Sequence, residues 1–508
     1  MPGSITWMST SFTISGILLD TYNAVQFLDR IYPQLCAHID FYVRNANAKT
    51  GLVEWDQYGD VRGCSARLAS SHTHNPSRTH KHAPAQWNAI VPSNGLFLAN
   101  VLYHADNLIM ASIASALGKS ADAAVFLARA AALRDAVYAS FFNQTSGVWD
   151  TGSQTSQAMA LVFNLDPPSA HTVLQHLAAD VANRGNHISG GVFGSRYLLQ
   201  ALSMHGRGDV ALALATVPTA PSWLAMAVGT PEQPSIGTLW ESWDGPIRSG
   251  SSGNHPFLGG GAGVWMYHYA LGLRFSHGDA RAARGAAAGG ARACLRRVGL
   301  GVDLVASHGI DEGGACALAR AVEGLRADAA LGAPLGALLS SRSLRSRFPS
   351  PAAAAVAAAA APLSPTGALV LDAALLAALG SASGSLDTPR GRIHAAWSWR
   401  VEEGLAVELT VPPLEGFAVF VPAQLLADAA TEVAVVGTVG KGTVQWRAVT
   451  PGGPGGRMPE GAPVGACAWA APGEAQQLLL VPGAAAAPAH LKINLAPGAW
   501  TVRVRATG

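Results

Sequence analysis

The sequence predicts a multidomain protein of α and β parts: serial helical hairpins of the kind that close into an (α/α) toroid, then an antiparallel β-sandwich. Three observations predict it. Residues 17–274 carry apolar side chains at three- and four-residue steps, in runs separated by Gly, Ser and Asn. From Leu386 onward, apolar and polar residues alternate with period two, punctuated by Gly and Pro. Between them, residues 276–385 are dominated by Ala, Gly, Arg, Leu and Ser. The expected division is a helical domain over 1–275, an Ala/Gly-rich low-complexity insertion or linker over 276–385, and a β-sandwich over 386–508.

The elements follow in order. MPGSITWMSTSFTISGILLD has no basic leader region and no apolar core of signal-peptide length, so no signal peptide is expected. Residues 17–47 read as one helix, with Ile31, Leu35, Ile39 and Tyr42 on its apolar face. The polar stretches GLVEWDQYGDVRG and SSHTHNPSRTHKHAP read as loop. Ser93 or Asn94 can cap the next helix, and Gly118 stops it. Ser120 can cap its partner, which makes an antiparallel hairpin. SQTSQAMALVFNL with PSAHTVLQHLAADVANRG form a second pair, and GSRYLLQALSMHG with DVALALATV a third. AGVWMYHYALGLR is the last helix of the series. A solenoid would need a repeat at fixed period, and none is seen. In the middle tract, ACALARAVEGLRADAALG and LVLDAALLAALG can form short helices. About eight strands follow, from GRIHAAWSWRVEEGLAVELTVPP to AWTVRVRAT.

Composition narrows the function. Over 508 residues, 34 Lys+Arg balance 32 Asp+Glu to a net charge of +2, which gives no electrostatic case for nucleic acid or a membrane surface. No uninterrupted apolar run of roughly 20 residues marks a membrane helix. The five cysteines, Cys36, Cys64, Cys294, Cys316 and Cys467, lack CxxC spacing, so neither a disulfide framework nor a zinc site is expected. The compartment stays open, and the sequon Asn143-Gln144-Thr145 bears on it only in a secreted protein.

The chemistry concentrates in SIGTLWESWDG, residues 235–245. Trp240, Glu241, Trp243 and Asp244 place two carboxylates among aromatic faces in a chain only 13% charged. Tryptophan faces stack on pyranose rings, and carboxylates bind hydroxyls or activate water. The alternative is core packing with a structural acid. Upstream stands Pro221-Ser222-Trp223, and downstream Asn254-His255 precede a glycine run.

PSW…GTLWESWDG…SGNHPFLGGGAGVWMYHYALGL resembles the catalytic domain of bacterial-type α-L-rhamnosidases. LYHADNLIMASIASALGKSADA, SQTSQAMALVFNL, ISGGVFGSRYLLQAL and DTPRGRIHAAWSW match further segments of that family, in order. The resemblance covers about 20–274 and 386–430. It implies an (α/α)6 toroid and an inverting glycosidase acting on a rhamnose-containing glycoside or polysaccharide, without a cofactor. In that chemistry one carboxylic acid protonates the leaving oxygen. A second carboxylate, about 6.5–9.5 Å away, activates water. By resemblance Glu241 is the general base. Trp240, Trp243, Asp244, Asn254, His255 and Trp223 shape the sugar site.

The sequence departs from the family in two places. The upstream Asp-x-Arg-x-Glu motif that carries the general acid is absent, and the helices are fewer than six hairpins require. A toroid lacking its N-terminal part is therefore expected, with self-association through the exposed apolar face. GLVEWDQYGDVRG resembles a Gly-Asp-Trp segment, with Val61 where tryptophan is expected. Glu54, Asp56 and Asp60 are the nearest carboxylates that could stand in for the acid; solvated loop acids are the plainer reading.

Two other motifs are weaker. His72, His74, His80 and His82 could ligate a metal, but no carboxylate or cysteine completes a known spacing. GGGAG lacks the Lys-Ser/Thr of a phosphate loop, so its glycines are expected to allow close packing near Glu241. Trp265, Tyr267 and Tyr269 are expected in the core. Two alternatives to a rhamnosidase-like hydrolase stay open. One is a degenerate relative that binds carbohydrate without turnover; the other is a hydrolase or lyase of another (α/α)6 family.

Overall fold

The computed structural model describes residues 5–56, 89–276, 366–388, 391–412, 414, 416–422, 431–439, 442–450, 478–481, 490–495 and 497–506. Asp60, Val61, the histidine tract, ACALARAVEGLRADAALG and four of the five cysteines lie outside the described residues; Cys36 lies within them.

Helices come in pairs, as the periodicity predicts. α1 (Ile5–Met8) leads into α2 (Thr10–Tyr22), and α3 (Val25–Asn45) follows. The single helix expected over 17–47 is two. Asn23 takes a left-handed conformation (φ 48°, ψ 40°) and its N–H closes onto Leu19 O. Asn tolerates that geometry at a helix end. The apolar period runs on past the break, which hides it from a periodicity search.

α4 (Gly95–Ala116) and α5 (Ser120–Phe141) form the next hairpin. Asn94 Oδ1 accepts from Leu96 N at 2.9 Å, and Gly118 turns the chain at φ 74°. Lys119, not Ser120, holds the N-cap position of α5. α4 is 22 residues long with mean hydropathy 1.3, enough by length and composition to cross a membrane; 94% of that window is buried inside the protein, as in a central core helix. A small hairpin, β1 (Phe142–Asn143) and β2 (Val148–Trp149), leads to α6 (Gln154–Val162), capped by Ser153. α7 (Ala170–Asn183), α8 (Val192–Met204) and α9 (Gly208–Thr216) complete the pairs. Short helices α10 (Trp223–Val228) and α11 (Gly245–Ser249) precede α12 (Gly260–Trp265), which ends in a π turn over Met266–Ala270.

α2, α4, α6, α8 and α12 pack in a continuous row, and α3, α5, α7 and α9 pair with the helices before them. The row's N-terminal ends lie together. Ser93 Oγ and Ser153 Oγ are 2.6 Å apart, Gln154 Oε1 accepts from Ser189 N at 2.8 Å, and Ser195 Oγ donates to Phe257 O. Gly261 lets α12 approach α8: a Cβ there would strike the Ser195 carbonyl oxygen.

The expected helix through Arg274 stops earlier. Gly272 (φ 82°) ends it, and β3 (Leu273–Ser276) pairs antiparallel with β4 (Thr366–Val370). Strand structure thus begins well before Leu386. α13 (Ala373–Leu379) realises the helix expected in LVLDAALLAALG. The remaining strands are β5 (Ser381–Thr388), β6 (Gly391–Arg400), β7 (Gly404–Val411), β8 (Gly416–Pro422), β9 (Thr431–Val439), β10 (Gly442–Thr450), β11 (Leu478–Val481), β12 (His490–Leu495) and β13 (Gly498–Ala506).

Two sheets result, ordered β10-β9-β13-β7-β6-β5 and β11-β12-β8-β4-β3. Among the described residues all pairings are antiparallel except β4 with β8, which corrects the purely antiparallel expectation. After β4 the chain passes through α13 and β5–β7 before returning as β8, and a long crossover permits a parallel pair. Register puts Trp397 opposite Val407, Val407 opposite Val502 and Val502 opposite Val435, so one face of the first sheet is apolar. That face and Phe417, Val419, Ile493 and Leu495 of the second sheet form one core. α13 ties this core to the helices. Leu375 packs in the helical core and Leu376 in the sheet core, and Trp397 Nε1 donates to Leu271 O at 3.1 Å.

Candidate active site

Residues 229–259 cross the end of the row where its helices begin. Gly229 bridges Pro234, closing a turn over Thr230–Gln233. Gln233 is buried; its Oε1 accepts from Ile247 N at 2.9 Å and its Nε2 donates to Pro234 O at 3.1 Å. Residues 238–241 and 252–255 then run side by side. Thr238 Oγ1 donates to Gly253 O, Glu241 N to Ser252 O at 3.0 Å and His255 N to Leu239 O at 2.8 Å.

The tryptophans are interior. Trp240, Trp243 and Trp223 are 1%, 3% and 6% exposed. Trp243 Nε1 donates to Gly190 O at 2.9 Å, and Trp223 Nε1 to Leu258 O at 2.7 Å. Their rings meet edge-on, centroids 5.6 Å apart at 88°. Trp240 Nε1 finds no acceptor among the described residues. These indoles pin the 235–259 segment to the loop before α8, through Trp243, and to α10, through Trp223, and present almost no face to solvent in this structure. Trp265 and Tyr269 are likewise buried, while Tyr267 is 46% exposed.

The polar residues of the motif lie nearer the surface. Glu241 is half-buried, and its Oε2 accepts from Ser252 N at 2.9 Å. Its backbone and side chain thus both bond to Ser252, which fixes where the carboxylate points. Asp244 is exposed at the start of α11, and Asn254 is exposed beside Ser252. His255 is half-buried, its ring edge-on to Phe257 at 4.2 Å and 79°, and its Nδ1 has no partner among the described residues. Phe257 packs on Trp7 of α1, centroids 5.4 Å apart. The paired segments 238–241 and 252–255 thus carry one oriented carboxylate, an imidazole and an exposed amide, with a second acid three residues beyond Glu241 at the start of α11. Among the described residues no group of three or more His, Cys, Asp or Glu is placed to hold a metal.

A family model for the bacterial α-L-rhamnosidase six-hairpin glycosidase domain matches residues 1–270. The chain belongs to that family. Two curated α-L-rhamnosidases of Formosa agariphila are 28% identical over 258 residues and 24% over 212, covering 49% and 38% of this chain but 25% and 22% of theirs. One of Streptomyces avermitilis is 29% identical over 190 residues, 36% of this chain and 17% of that protein. The chain thus spans a quarter or less of the curated relatives it matches. Among solved structures, the α-L-rhamnosidase from Dictyoglumus thermophilum aligns over 99% of this chain and 40% of its own, with TM-score 0.58 at 16% identity. The Streptomyces avermitilis α-L-rhamnosidase complexed with L-rhamnose aligns over 96% and 32%, with TM-score 0.54 at 16% identity.

Within this rhamnosidase-family fold, the stand-in acids separate. Glu54 is exposed and accepts from Asn47 Nδ2 at 2.7 Å. Asp56 is not a solvated loop acid: it is 6% exposed, and its Oδ2 accepts from Thr6 Oγ1 of α1 at 3.1 Å. Sequence reasoning missed Ser252, Trp7 and Phe257. Ser252 acts through its backbone N–H, which no residue type advertises. Trp7 and Phe257 meet only through the tertiary fold.

Proposed function

We propose that the chain carries the general-base half of an inverting α-L-rhamnosidase site, hydrolysing terminal α-L-rhamnosyl residues of a glycoside or polysaccharide. Glu241 takes a proton from the water that attacks the anomeric carbon, the glycosidic C–O bond breaks, and the leaving oxygen takes its proton from solvent water, while Asp244, Asn254 and His255 bind sugar hydroxyls. Trp223, Trp240 and Trp243 form the wall on which these groups stand. On this reading the helix row is a partial (α/α)6 toroid over about residues 1–275, and the two sheets are a β-sandwich with strands on both sides of the low-complexity insertion at 277–365, β3 before it and the rest after. Exposed Ile14, Val264, Met266 and Tyr267 support self-association as part of the same reading.

The observation that carries the proposal is the Glu241 carboxylate held by Ser252 N at 2.9 Å, inside the segment that the rhamnosidase family model matches. A general base needs that fixed aim at its water. The test is Glu241→Gln assayed on an aryl α-L-rhamnoside. A loss of about 10²–10⁴-fold is expected. Activity surviving within a few-fold removes the assignment. L-rhamnose binding by calorimetry without any turnover in the unaltered chain moves the reading to a carbohydrate-binding relative.

A further inference from the structure

α1 is a four-residue helix, too short to be stable alone. It is nevertheless tied down by three groups within four residues, Thr6, Trp7 and Ser9. Thr6 Oγ1 donates to buried Asp56 Oδ2 at 3.1 Å. Ser9 Oγ, one residue past α1, donates to Asp106 Oδ1 at 2.5 Å, and Asp106 is fully buried in α4. Between these anchors Trp7 turns the other way, onto Phe257, whose ring in turn meets the His255 imidazole at 4.2 Å. Thr6 and Asp56 are 50 residues apart in sequence, and Ser9 and Asp106 are 97 apart. Two interior acids bonded to Thr6 and Ser9 hold this short helix in register at both ends.

We infer that Trp7 is a positioning residue for His255: α1 is a strap, anchored through Thr6 and Ser9 on Asp56 and Asp106, that presses Trp7 against Phe257 and so sets the imidazole. The inference rests on His255 being the sugar-binding histidine of the proposed site, but its first readout does not. The His255 ring signals are followed by NMR, assigned by their loss in His255→Gln. Trp7→Ala and Ser9→Ala should both displace them, and Trp7→Phe and Ser9→Thr should restore them. With an aryl α-L-rhamnoside, Trp7→Ala should raise KM about tenfold while kcat stays within a few-fold. Trp7→Leu, which leaves the Phe257 ring against His255, gives the same result if Trp7→Ala does not fold. His255 signals unmoved in Ser9→Ala and in whichever of Trp7→Ala and Trp7→Leu folds overturn the strap. So does a loss of melting temperature with KM and the ring signals unchanged. If the unaltered protein cleaves no rhamnoside, the proposed function falls, and the ring signals still decide the strap.

Discussion

Trp223, Trp240 and Trp243 are 6%, 1% and 3% exposed, whereas Phe257 is 37% exposed and Trp7 and His255 are half-buried. Both aromatic sets serve the same segment. The interior set fastens it by indole N–H donation between it and its neighbours, to the carbonyls of Gly190 and Leu258; the rim set packs against the His255 imidazole. The difference teaches that a Trp-Glu-x-Trp motif can place its glutamate by burying its tryptophans. Stability and ligand contact are then separable by mutation.

The largest expected effect sharpens that separation. Trp243→Ala should cost about 3–5 kcal/mol of unfolding free energy, read by denaturant titration, since it empties a packed interior site. A loss as small as that of an exposed residue would break the comparison. Trp243→Phe keeps most of the volume but strands the Gly190 carbonyl, so about 1–3 kcal/mol is expected. Trp240→Phe removes an N–H that has no acceptor among the described residues, and should cost less than about 1.5 kcal/mol. Equal losses at 240 and 243 would show that the hydrogen bond is not what distinguishes them.

The smallest effect concerns the floor beneath the rim and has the opposite sign. Burial pushes the Asp106 carboxyl well above the usual carboxylate range, although the Ser9 hydroxyl pulls it the other way. The folded state therefore holds a proton that the unfolded chain releases near pH 4. Asp106 contributes most stability below that pH and loses it as pH rises toward the folded value. Asn at 106 keeps the acceptor for Ser9 and never ionises. Asp106→Asn should accordingly match the parent near pH 4 and exceed it in stability near pH 8. A difference independent of pH would mean that Asp106 is not held neutral.

Much of the fold was legible because its signals are local. Asn94, Ser153 and Gly118 mark helix ends through their own backbone and side-chain chemistry, and the hairpins follow. The break at Asn23 was not legible, because the apolar period crosses it unchanged. β3 was not either: Leu273 becomes a strand only through its pairing with Leu369, across a long tract of other composition. Glu241 stood out in the sequence as an acid among aromatics. The burial of its neighbouring tryptophans did not, since an indole suits a core and a sugar face equally well. Asp56 looked like one loop acid among several until Thr6 was found bonded to it.

β3 and β4 bear on how this chain can change over time. Ser276 and Thr366 are opposed in register, so residues 277–365 leave and rejoin the sheet at the same place. β3 is held by β4, and β4 is held on its other side by β8, in register from Thr366 opposite Gly416 to Val370 opposite Phe420. A change in the length of chain between Ser276 and Thr366 therefore leaves both strand ends where their pairing puts them, which makes this seam the natural site for duplication, excision or the grafting of foreign sequence.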